Sequence, residues 1–326
     1  MSTLPSFYRP VEGELRLVEQ KLAGIADGTI KSSSALLPDL VAHVLKAPGK
    51  GTRPAITLLA SKFESGDDQT PVTMAAAVEL LHIATLIHDD MIDNAETRRG
   101  EPTVSTTWGK NVAVLLGDYV FAASATLVCD TGNVRVIRRF SETIMELSSG
   151  ELSEFTNAYN WNISRESYWK RIYEKTGSLF CTAAESGAIL SGASEDVVLA
   201  LKSYGYNLGL AFQVMDDILD FSGTEDEVGK PVGNDLVQGT ITLPSILLIE
   251  KYPYDNPIKL FFEGVDKEYN LNRALDMISG SDIINESHEI AIGFQQQAIR
   301  SLDSLPDSVH KRCLQEIAEY SMERRK

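Results

Sequence analysis

The sequence predicts an all-α fold, on three observations. Nearly every segment repeats its apolar residues at intervals of three and four, the period of one helix face. No segment alternates apolar and polar residues over a length that would form a strand. The 326 residues, 43% of them hydrophobic and 23% charged, are enough to bury a substantial core. We therefore expect a single domain over residues 1–326, built of about ten or more helices.

The predicted helices follow one another along the chain. The first presents an apolar face at Leu15, Val18, Leu22 and Ile25, and the second ends before Pro48. The loop APGKGTRP then leads to six further helices: residues 56–63, a long helix opened by Pro71, and residues 109–128, 134–157, 164–191 and 194–221. Pro244 begins another helix, with three or four more behind it.

Charge and cysteine content exclude several classes of protein. A formal net charge of −16 argues against nucleic acid or an anionic membrane surface as partners, although metal ions could still recruit an anionic substrate. Three cysteines without CxxC spacing favour a reducing, cytoplasmic compartment. The N-terminus has no apolar core like that of a signal peptide, and the longest apolar stretch, residues 112–128, contains Asp118. We expect a cytoplasmic protein without a transmembrane segment.

One stretch of the long helix ends an apolar run in three carboxylates and then two adjacent arginines: residues 80–100, LLHIATLIHDDMIDNAETRRG. On a helix, Asp89 and Asp93 lie about one turn apart and roughly 40° around the axis, so they share a face. Two such carboxylates repel each other unless a cation lies between them, and hard oxygen ligands suit Mg²⁺. Asp90 lies about 100° from that face, so it either supports the ligands or faces solvent.

The same pattern returns at AFQVMDDILDFSG, where Asp216, Asp217 and Asp220 end a second apolar helix. A single DDxxD is more often a solvated helix end than a metal site. Two of them, each at the polar end of an apolar helix, predict facing helices that hold metal between them.

With both motifs in place, the chain resembles the trans-isoprenyl diphosphate synthases of the polyprenyl synthetase family, most of all the medium- and long-chain polyprenyl and geranylgeranyl members. HDDMIDNAETRRG is similar to the family's first aspartate-rich motif and FQVMDDILDFSG to its second. GKGTRP resembles the usual GGKRxRP, and EKTGSLF and GKPVGNDLVQGTITLP occur where the family places them. The resemblance covers nearly the whole chain.

This resemblance implies the isoprenoid synthase class I fold, with helices around a central active-site cavity, and a homodimer. It implies a prenyltransferase of EC 2.5.1 type, in which an allylic diphosphate ionises and isopentenyl diphosphate attacks the cation in a 1′-4, trans condensation. The released pyrophosphate then accepts the proton. Pyrophosphate departs only with dense positive charge, which about three Mg²⁺ ions, replaceable by Mn²⁺, would supply. The cation also needs a cavity that excludes water.

The resemblance also implies a role for individual residues. The metal ligands are Asp89, Asp93 and Asp216, with Asp220 as a weaker candidate and Asp90 and Asp217 in support. Four residues match positions that bind the allylic diphosphate, with Gln213 nearby: Arg98, Lys175, Thr176 and Lys230. Four others match the positions that hold isopentenyl diphosphate: Lys50, Arg53, His82 and Arg99. Arginine spans two phosphate oxygens, whereas lysine acts as a point charge.

Two positions depart from the family pattern. Gly51 stands where GGKRxRP often has arginine, so isopentenyl diphosphate would have one contact fewer. Thr240 stands where many members have a second lysine, which weakens the case for a lysine at that point.

The positions expected to set product length are Ala84 and Thr85, five and four residues before Asp89. In the family, aromatic residues at this level form the floor of the cavity in short-chain members. Because neither residue carries a ring, we expect the growing chain to pass deeper and the product to have twenty carbons or more.

Two other functions remain open. A class I terpene cyclase shares the ionisation chemistry, but it typically lacks a second DDxxD and needs no isopentenyl site. A non-catalytic subunit of a hetero-oligomeric synthase usually loses one aspartate motif, and this chain keeps both. The chain could still be the catalytic subunit of such an enzyme, dependent on an accessory subunit.

Overall fold

The computed structural model describes residues 6–29, 34–46, 49–64, 66, 69–222 and 232–323. It confirms the all-α prediction, since these residues form more than ten α-helices and a single short β-hairpin. The hairpin pairs β1 (Thr97–Arg98) with β2 (Glu101–Pro102), and its strands are too short to produce an alternating sequence pattern.

The first half of the chain contains seven α-helices in its described part. They are α1 (Glu12–Thr29), α2 (Leu37–Leu45), α3 (Thr52–Ala60), α4 (Gln69–Ile92), α5 (Val104–Trp108), α6 (Lys110–Asp130) and α7 (Val134–Thr156). Short 3₁₀ segments, Ser6–Val11 and Ser61–Phe63, precede α1 and follow α3. The predicted helix at residues 56–63 therefore begins four residues earlier than expected.

In the second half, the sequence predicts one helix over residues 164–191. The structure has two helices there, α8 (Arg165–Ile172) and α9 (Ser178–Leu190), separated by a π-turn at Tyr173–Gly177. The second aspartate motif lies on α10 (Glu195–Ser222). The remaining described helices are α11 (Asn234–Val237), α12 (Leu243–Lys251), α13 (Pro257–Phe262), α14 (Lys267–Ser279), α15 (Ile283–Ser301) and α16 (Val309–Met322).

By its contacts the chain divides into two compact units. The first comprises residues 1–141, 182–202 and 304–314, and the second comprises residues 142–181, 203–303 and 315–326. The expectation of one domain over residues 1–326 stays a prediction.

In the first unit the core forms around α4, which packs along α6 and against α1 and α3. Small side chains in the middle of α4, Ala75 to Ala77, are fully buried and let neighbouring helices approach closely. Pro71 lies in the first turn of α4, where a missing N–H leaves no hydrogen bond unmade. This packing fixes the position of the first aspartate motif at the end of α4.

In the second unit an apolar cluster holds α10 in place. Val214, Met215 and Ile218 on α10 pack with Tyr168 of α8 and with residues of α12, α14 and α15. Because the apolar side chains of α10 face this cluster, the carboxylates of its last turns lie at the margin of a rigid core.

Two helices of the described chain, α4 and α6, are long and apolar enough to cross a membrane by length and composition alone. In α4, 67% of the most apolar stretch is buried, as is usual for a core helix of a folded domain. In α6 only 33% is buried, and Val114, Leu115 and Tyr119 are exposed. One side of α6 therefore presents an apolar face.

At Gly187, helix α9 packs very close to α3. A Cβ atom at this position would lie 2.2 Å from the backbone oxygen of Thr57 on α3, so the helices must separate to admit it. We expect Gly187→Ala to lower the free energy of unfolding by about 2 kcal/mol, a typical cost of overpacking. Urea or thermal unfolding followed by circular dichroism measures this.

Gly24→Ala on α1 is the matched control, because no atom lies within 4 Å of the added Cβ. There the higher helix propensity of alanine should stabilise the chain by up to about 1 kcal/mol. Equal effects of the two substitutions would contradict the packing of α9 on α3.

Candidate functional site

Asp89 and Asp93 lie at the C-terminal end of α4. Asp89 is half-buried and Asp93 is exposed. The backbone N–H of Asp93 donates to the carbonyl oxygen of Asp89 over 2.8 Å, so the helical turn continues just past the end of α4. The two carboxylates are therefore about one turn apart, as their spacing predicts.

Asp90 is buried, with 7% of its surface exposed, and it does not face solvent. Both of its carboxylate oxygens lie 2.8 Å from the Nε of Arg98, and Nη2 of Arg98 lies 2.7 Å from Oδ1. This forked contact fixes the plane of the Arg98 guanidinium. Asp90 therefore does not face solvent and contacts Arg98, while its support of the metal ligands stays a prediction.

Arg99 and Gly100 form the two-residue turn of the hairpin, with φ angles of 52° and 81°. Two positive φ values in a two-residue loop are characteristic of a type I′ turn. Glycine adopts this conformation readily, but for arginine it costs about 1 kcal/mol. The residue that the resemblance assigns to isopentenyl diphosphate is therefore in a conformation that the surrounding structure must maintain.

A cavity of about 450 Å³ lies in the first unit, among α1, α2, α4 and the hairpin. Its apolar walls include Leu22 of α1, Val44 of α2 and Ile83 of α4. Three of the predicted site residues line it together: His82, Arg98 and Arg99. The cavity therefore joins an apolar wall to a cluster of basic side chains.

The GKGTRP loop contains Lys50, Gly51 and Arg53. Arg53 lies close enough to the cavity for its charge to act on His82. Lys50 is exposed and does not line the described cavity wall. Gly51 caps α3 with a φ of 63°, a left-handed conformation that favours glycine over arginine. The departure at Gly51 thus has a local backbone reason.

His82 is held as a neutral imidazole. Burial lowers the pKa of His82 well below its ordinary value, and three nearby positive charges lower it further: Arg53, Arg99 and Arg98. At neutral pH the ring can therefore donate one hydrogen bond to an anion but adds no charge.

Glu79 is a cavity residue that our sequence analysis missed. It lies one turn before His82 on α4. Burial raises the pKa of its carboxyl, while the charges of Arg53 and Arg99 act in the opposite direction. The available signal was a lone acidic residue in the apolar run MAAAVELLHIATLI, where an unpaired carboxylate would be costly.

The structure distinguishes the two positions expected to set product length. Ala84 is fully buried in the apolar cluster that also contains Leu80 and Leu116. Thr85 is only half-buried, and its hydroxyl donates to the carbonyl oxygen of His82 over 2.8 Å. Their role in chain length stays a prediction, and Thr85 is the more accessible of the two.

In the second unit, Lys175 lies on the π-turn between α8 and α9. Its ammonium group is 2.6 Å from Oε1 of Glu154 and 3.1 Å from Oε1 of Glu151, both on α7. Because of these two contacts, carboxylates already hold Lys175 in place. Short π-turns inside helices also occur frequently at functional sites.

Thr176 and Gln213 belong to a partly buried hydrogen-bond chain. The Thr176 hydroxyl donates to Oε1 of Gln213 over 2.6 Å, and Nε2 of Gln213 donates to Oδ1 of Asp217 over 2.8 Å. The hydroxyl of Tyr168, which our sequence analysis missed, donates to Oδ2 of Asp217 over 2.5 Å. A tyrosine 49 residues away along the chain gives no local sequence signal for this contact.

Asp217 is fully engaged by these donors. Burial raises the pKa of Asp217 to about 7, although the hydrogen bonds from Tyr168 and Gln213 lower it. These contacts tie the C-terminal part of α10 to α8, and the supporting role of Asp217 at the metal site stays a prediction.

The two other carboxylates of the second motif differ in exposure. Asp216 is half-buried, whereas Asp220 is 7% exposed and its Oδ2 accepts from the backbone N–H of Asp235 over 3.2 Å. Asp216 is therefore the more accessible of these two predicted ligands. Lys230 lies outside the described residues, and its predicted contact with the allylic diphosphate stays a prediction.

The carboxylates present fit a divalent cation that is shared with a diphosphate. No group of three or more His, Cys, Asp or Glu side chains in the described residues is arranged as a complete metal cage. Mg²⁺ is usually bound by one or two carboxylates together with waters and substrate phosphates, and does not require such a cage. Asp89 with Asp93, and Asp216 with Asp220, each offer a donor set of that kind.

Comparison with known proteins gives one consistent result. The sequence profile of the polyprenyl synthetase family matches residues 34–276. The chain is 35% identical over 313 residues to the heptaprenyl diphosphate synthase component 2 of Bacillus subtilis, covering 96% of this chain and 88% of the relative.

Solved structures agree with the sequence relatives. A decaprenyl diphosphate synthase from Rhodobacter capsulatus superposes with a TM-score of 0.90 at 32% identity, covering 98% of both chains. A polyprenyl synthase from Caulobacter crescentus, complexed with calcium and isoprenyl diphosphate, superposes with a TM-score of 0.89 at 31% identity and covers 98% of this chain and 97% of its own.

The lowered pKa of His82 predicts a loss of stability in acid. Below a pH of about 6.5, the unfolded chain binds a proton at His82 that the folded chain does not, so stability falls as the pH falls. The effect is at most about 1.4 kcal/mol per pH unit. Urea unfolding of wild type and His82→Gln between pH values of about 7.5 and 5.5 should therefore diverge, with the wild type losing more stability. Equal losses of stability in wild type and His82→Gln as the pH falls would contradict the lowered pKa of His82.

Proposed function

The chain belongs to the polyprenyl synthetase family, and on that premise we propose which of its residues carry out the family's reaction. The chain is a trans-prenyltransferase that condenses isopentenyl diphosphate with an allylic diphosphate to give a polyprenyl diphosphate of about twenty carbons or more. The fold is that of the class I isoprenoid synthases. The observation that carries our assignment of the site is the meeting of His82, Arg98 and Arg99 in one cavity beside the first aspartate motif.

We propose that isopentenyl diphosphate binds at His82, Arg99 and Arg53, with Lys50 at the entrance. Neutral His82 donates a hydrogen bond to a phosphate oxygen, and the forked guanidinium groups of the arginines supply the positive charge. The apolar wall of the cavity then excludes water from the alkene, which must attack carbon and not be hydrated.

The allylic diphosphate is proposed to bind at Arg98, Lys175, Thr176 and Lys230, with Gln213 orienting Thr176. The allylic C–O bond breaks and its electron pair leaves with pyrophosphate. The alkene of isopentenyl diphosphate forms the new C–C bond, and a proton passes to pyrophosphate as the new double bond forms. Asp90 keeps Arg98 directed at the leaving group throughout.

Members of this family use a divalent metal. We propose Mg²⁺ at about three per site, replaceable by Mn²⁺, with Asp89, Asp93 and Asp216 as ligands and Asp220 as a weaker one. When bound, the metal neutralises the charge that develops on the leaving pyrophosphate.

The proposed product is a medium- or long-chain polyprenyl diphosphate of thirty carbons or more. Support comes from the side chains of Ala84 and Thr85, which carry no ring, and from relatives named for heptaprenyl and decaprenyl products.

We further propose that the chain acts as a homodimer in the cytoplasm. The exposed apolar side of α6, with Val114, Leu115 and Tyr119, is a surface that a second copy would cover. The three cysteines are free thiols, as a reducing compartment favours. Sedimentation as a single chain would contradict the homodimer. Secretion of the protein by its source cell would contradict the cytoplasmic location.

A second candidate function has a specific observation in its favour. The Bacillus subtilis relative is named as component 2 of its synthase, which indicates that this relative has a partner protein. The chain is then the catalytic subunit of a hetero-oligomer and needs an accessory protein for full activity.

Incubation of the purified chain with farnesyl diphosphate, isopentenyl diphosphate and Mg²⁺ tests the function and the product length. We expect products of thirty carbons or more, and Thr85→Phe should shorten them by placing a ring in their path. Ala84→Phe serves as the comparison, because Ala84 is fully buried. A wild-type product of twenty carbons would contradict the long-chain proposal. Activity that appears only with added lysate of the source cell would favour the hetero-oligomer.

The metal proposal predicts that Asp89→Asn and Asp216→Asn each reduce kcat by roughly a hundredfold or more, the scale expected when charge stabilisation of the transition state is lost. Glu195→Gln, an exposed carboxylate on α10, is the charge-matched control and should retain wild-type activity. Chelation should abolish turnover, and added Mg²⁺ should restore it. Turnover that survives chelation would rule out the metal.

A further inference from the structure

Lys175 is paired with two carboxylates of the same helix. Glu154 lies 2.6 Å and Glu151 lies 3.1 Å from the ammonium nitrogen, measured to Oε1 in both cases. The exposed fractions of the three side chains are between 25% and 30%, so the contacts are partly shielded from water. Such pairs are weaker than fully buried ones but stronger than pairs on the open surface.

The backbone brings α7 and the π-turn unusually close at this point. A Cβ atom on Gly150 would lie 2.9 Å from the backbone nitrogen of Lys175, so only glycine permits this approach. Glu151 and Glu154 follow Gly150 at positions three residues apart, which lie on one face of a helix. The two carboxylates are therefore positioned by rigid secondary structure.

Glu154 contacts a second cation. Nε of Arg171 lies 3.8 Å from Oε2 of Glu154, so this carboxylate is shared between Lys175 and Arg171. An anion that binds Lys175 must then compete with carboxylates that already occupy its donors. A lysine has three N–H donors and no acceptor, so an added phosphate oxygen takes a donor from a carboxylate or shares one.

We propose that Glu151 and Glu154 are positioning residues that compete with the allylic diphosphate for Lys175 and thereby set how tightly that diphosphate is held. This inference rests on the proposed role of Lys175 in binding the allylic substrate. When the diphosphate leaves, the two carboxylates pair again with the ammonium group, so the departing anion leaves no unpaired charge behind.

This competition suits an enzyme that repeats its reaction on a growing chain. In each cycle pyrophosphate must leave the position that the next allylic diphosphate will occupy. An ammonium group without competing carboxylates would hold both anions more tightly and slow their exchange. The two glutamates therefore lower the affinity for the bound diphosphate and raise the rate of turnover.

The test uses Glu154→Gln and Glu151→Gln, which keep the shape of each side chain and remove its charge. Binding of an unreactive allylic thiolodiphosphate, with Mg²⁺, is measured by calorimetry. We expect each variant to bind it roughly two- to fivefold more tightly, the scale of a partly exposed ion pair. The KM for isopentenyl diphosphate should stay unchanged, and kcat should fall as pyrophosphate release slows.

Glu250→Gln is the charge-matched control, because this exposed carboxylate pairs with Arg165 on the same unit. It should leave affinity and kcat at their wild-type values. If it tightens binding equally, a general change of charge explains the effect and the inference fails. Weaker or unchanged binding in Glu154→Gln and Glu151→Gln would also overturn it, since a purely structural role predicts that result.

Lys175→Gln and the double variant Lys175→Gln/Glu154→Gln separate this inference from the proposed function. If the glutamates act through Lys175, the Glu154→Gln change has no effect once Lys175 is absent. If Lys175→Gln leaves affinity unchanged, the proposed role of Lys175 is itself wrong. If Lys175→Gln weakens binding but Glu154→Gln does not strengthen it, only the competition is wrong.

Discussion

The pairing of basic side chains with carboxylates is the interaction on which this site depends. A chain with a net charge of −16 must still recruit diphosphates, so its few cations have to be held where they are needed. Asp90 fixes the plane of Arg98 in the first unit, and Glu151 and Glu154 hold Lys175 in the second. In the first unit the counter-charge keeps the long, flexible side chain of Arg98 ordered. In the second, the proposed competition of the two carboxylates for Lys175 limits how tightly an anion is held there.

Uncharged side chains, such as the imidazole of His82, also occur among these charged groups. His82 lies near three arginines, and a fourth positive charge in that confined space would be repelled. Asp217 is buried, and two uncharged donors, the hydroxyl of Tyr168 and the amide of Gln213, bind it in addition to the nearby charge of Arg171.

Helical period was sufficient to predict the fold class, because that signal is local in sequence. The site residues were predicted from the resemblance that the motifs carry, and three of them, His82, Arg98 and Arg99, line one cavity. The residues that sequence analysis missed act over long separations. Tyr168 reaches Asp217 across 49 positions, and the turn that holds Arg99 belongs to strands of two residues each. The π-turn at Lys175 was also missed, since one extra residue in a helical turn barely disturbs the apolar repeat. Such features depend on tertiary packing and leave no periodic trace.

The apolar side of α6 has a consequence for how the protein must be handled. If the proposed second copy covers Leu115 and Tyr119, dilution uncovers them, and the stability of the folded chain then depends on protein concentration. In that dimer, loss of activity over time at nanomolar protein would reflect dissociation and adsorption, not a chemical defect of the active site. A concentration series with and without a carrier protein would separate the two causes.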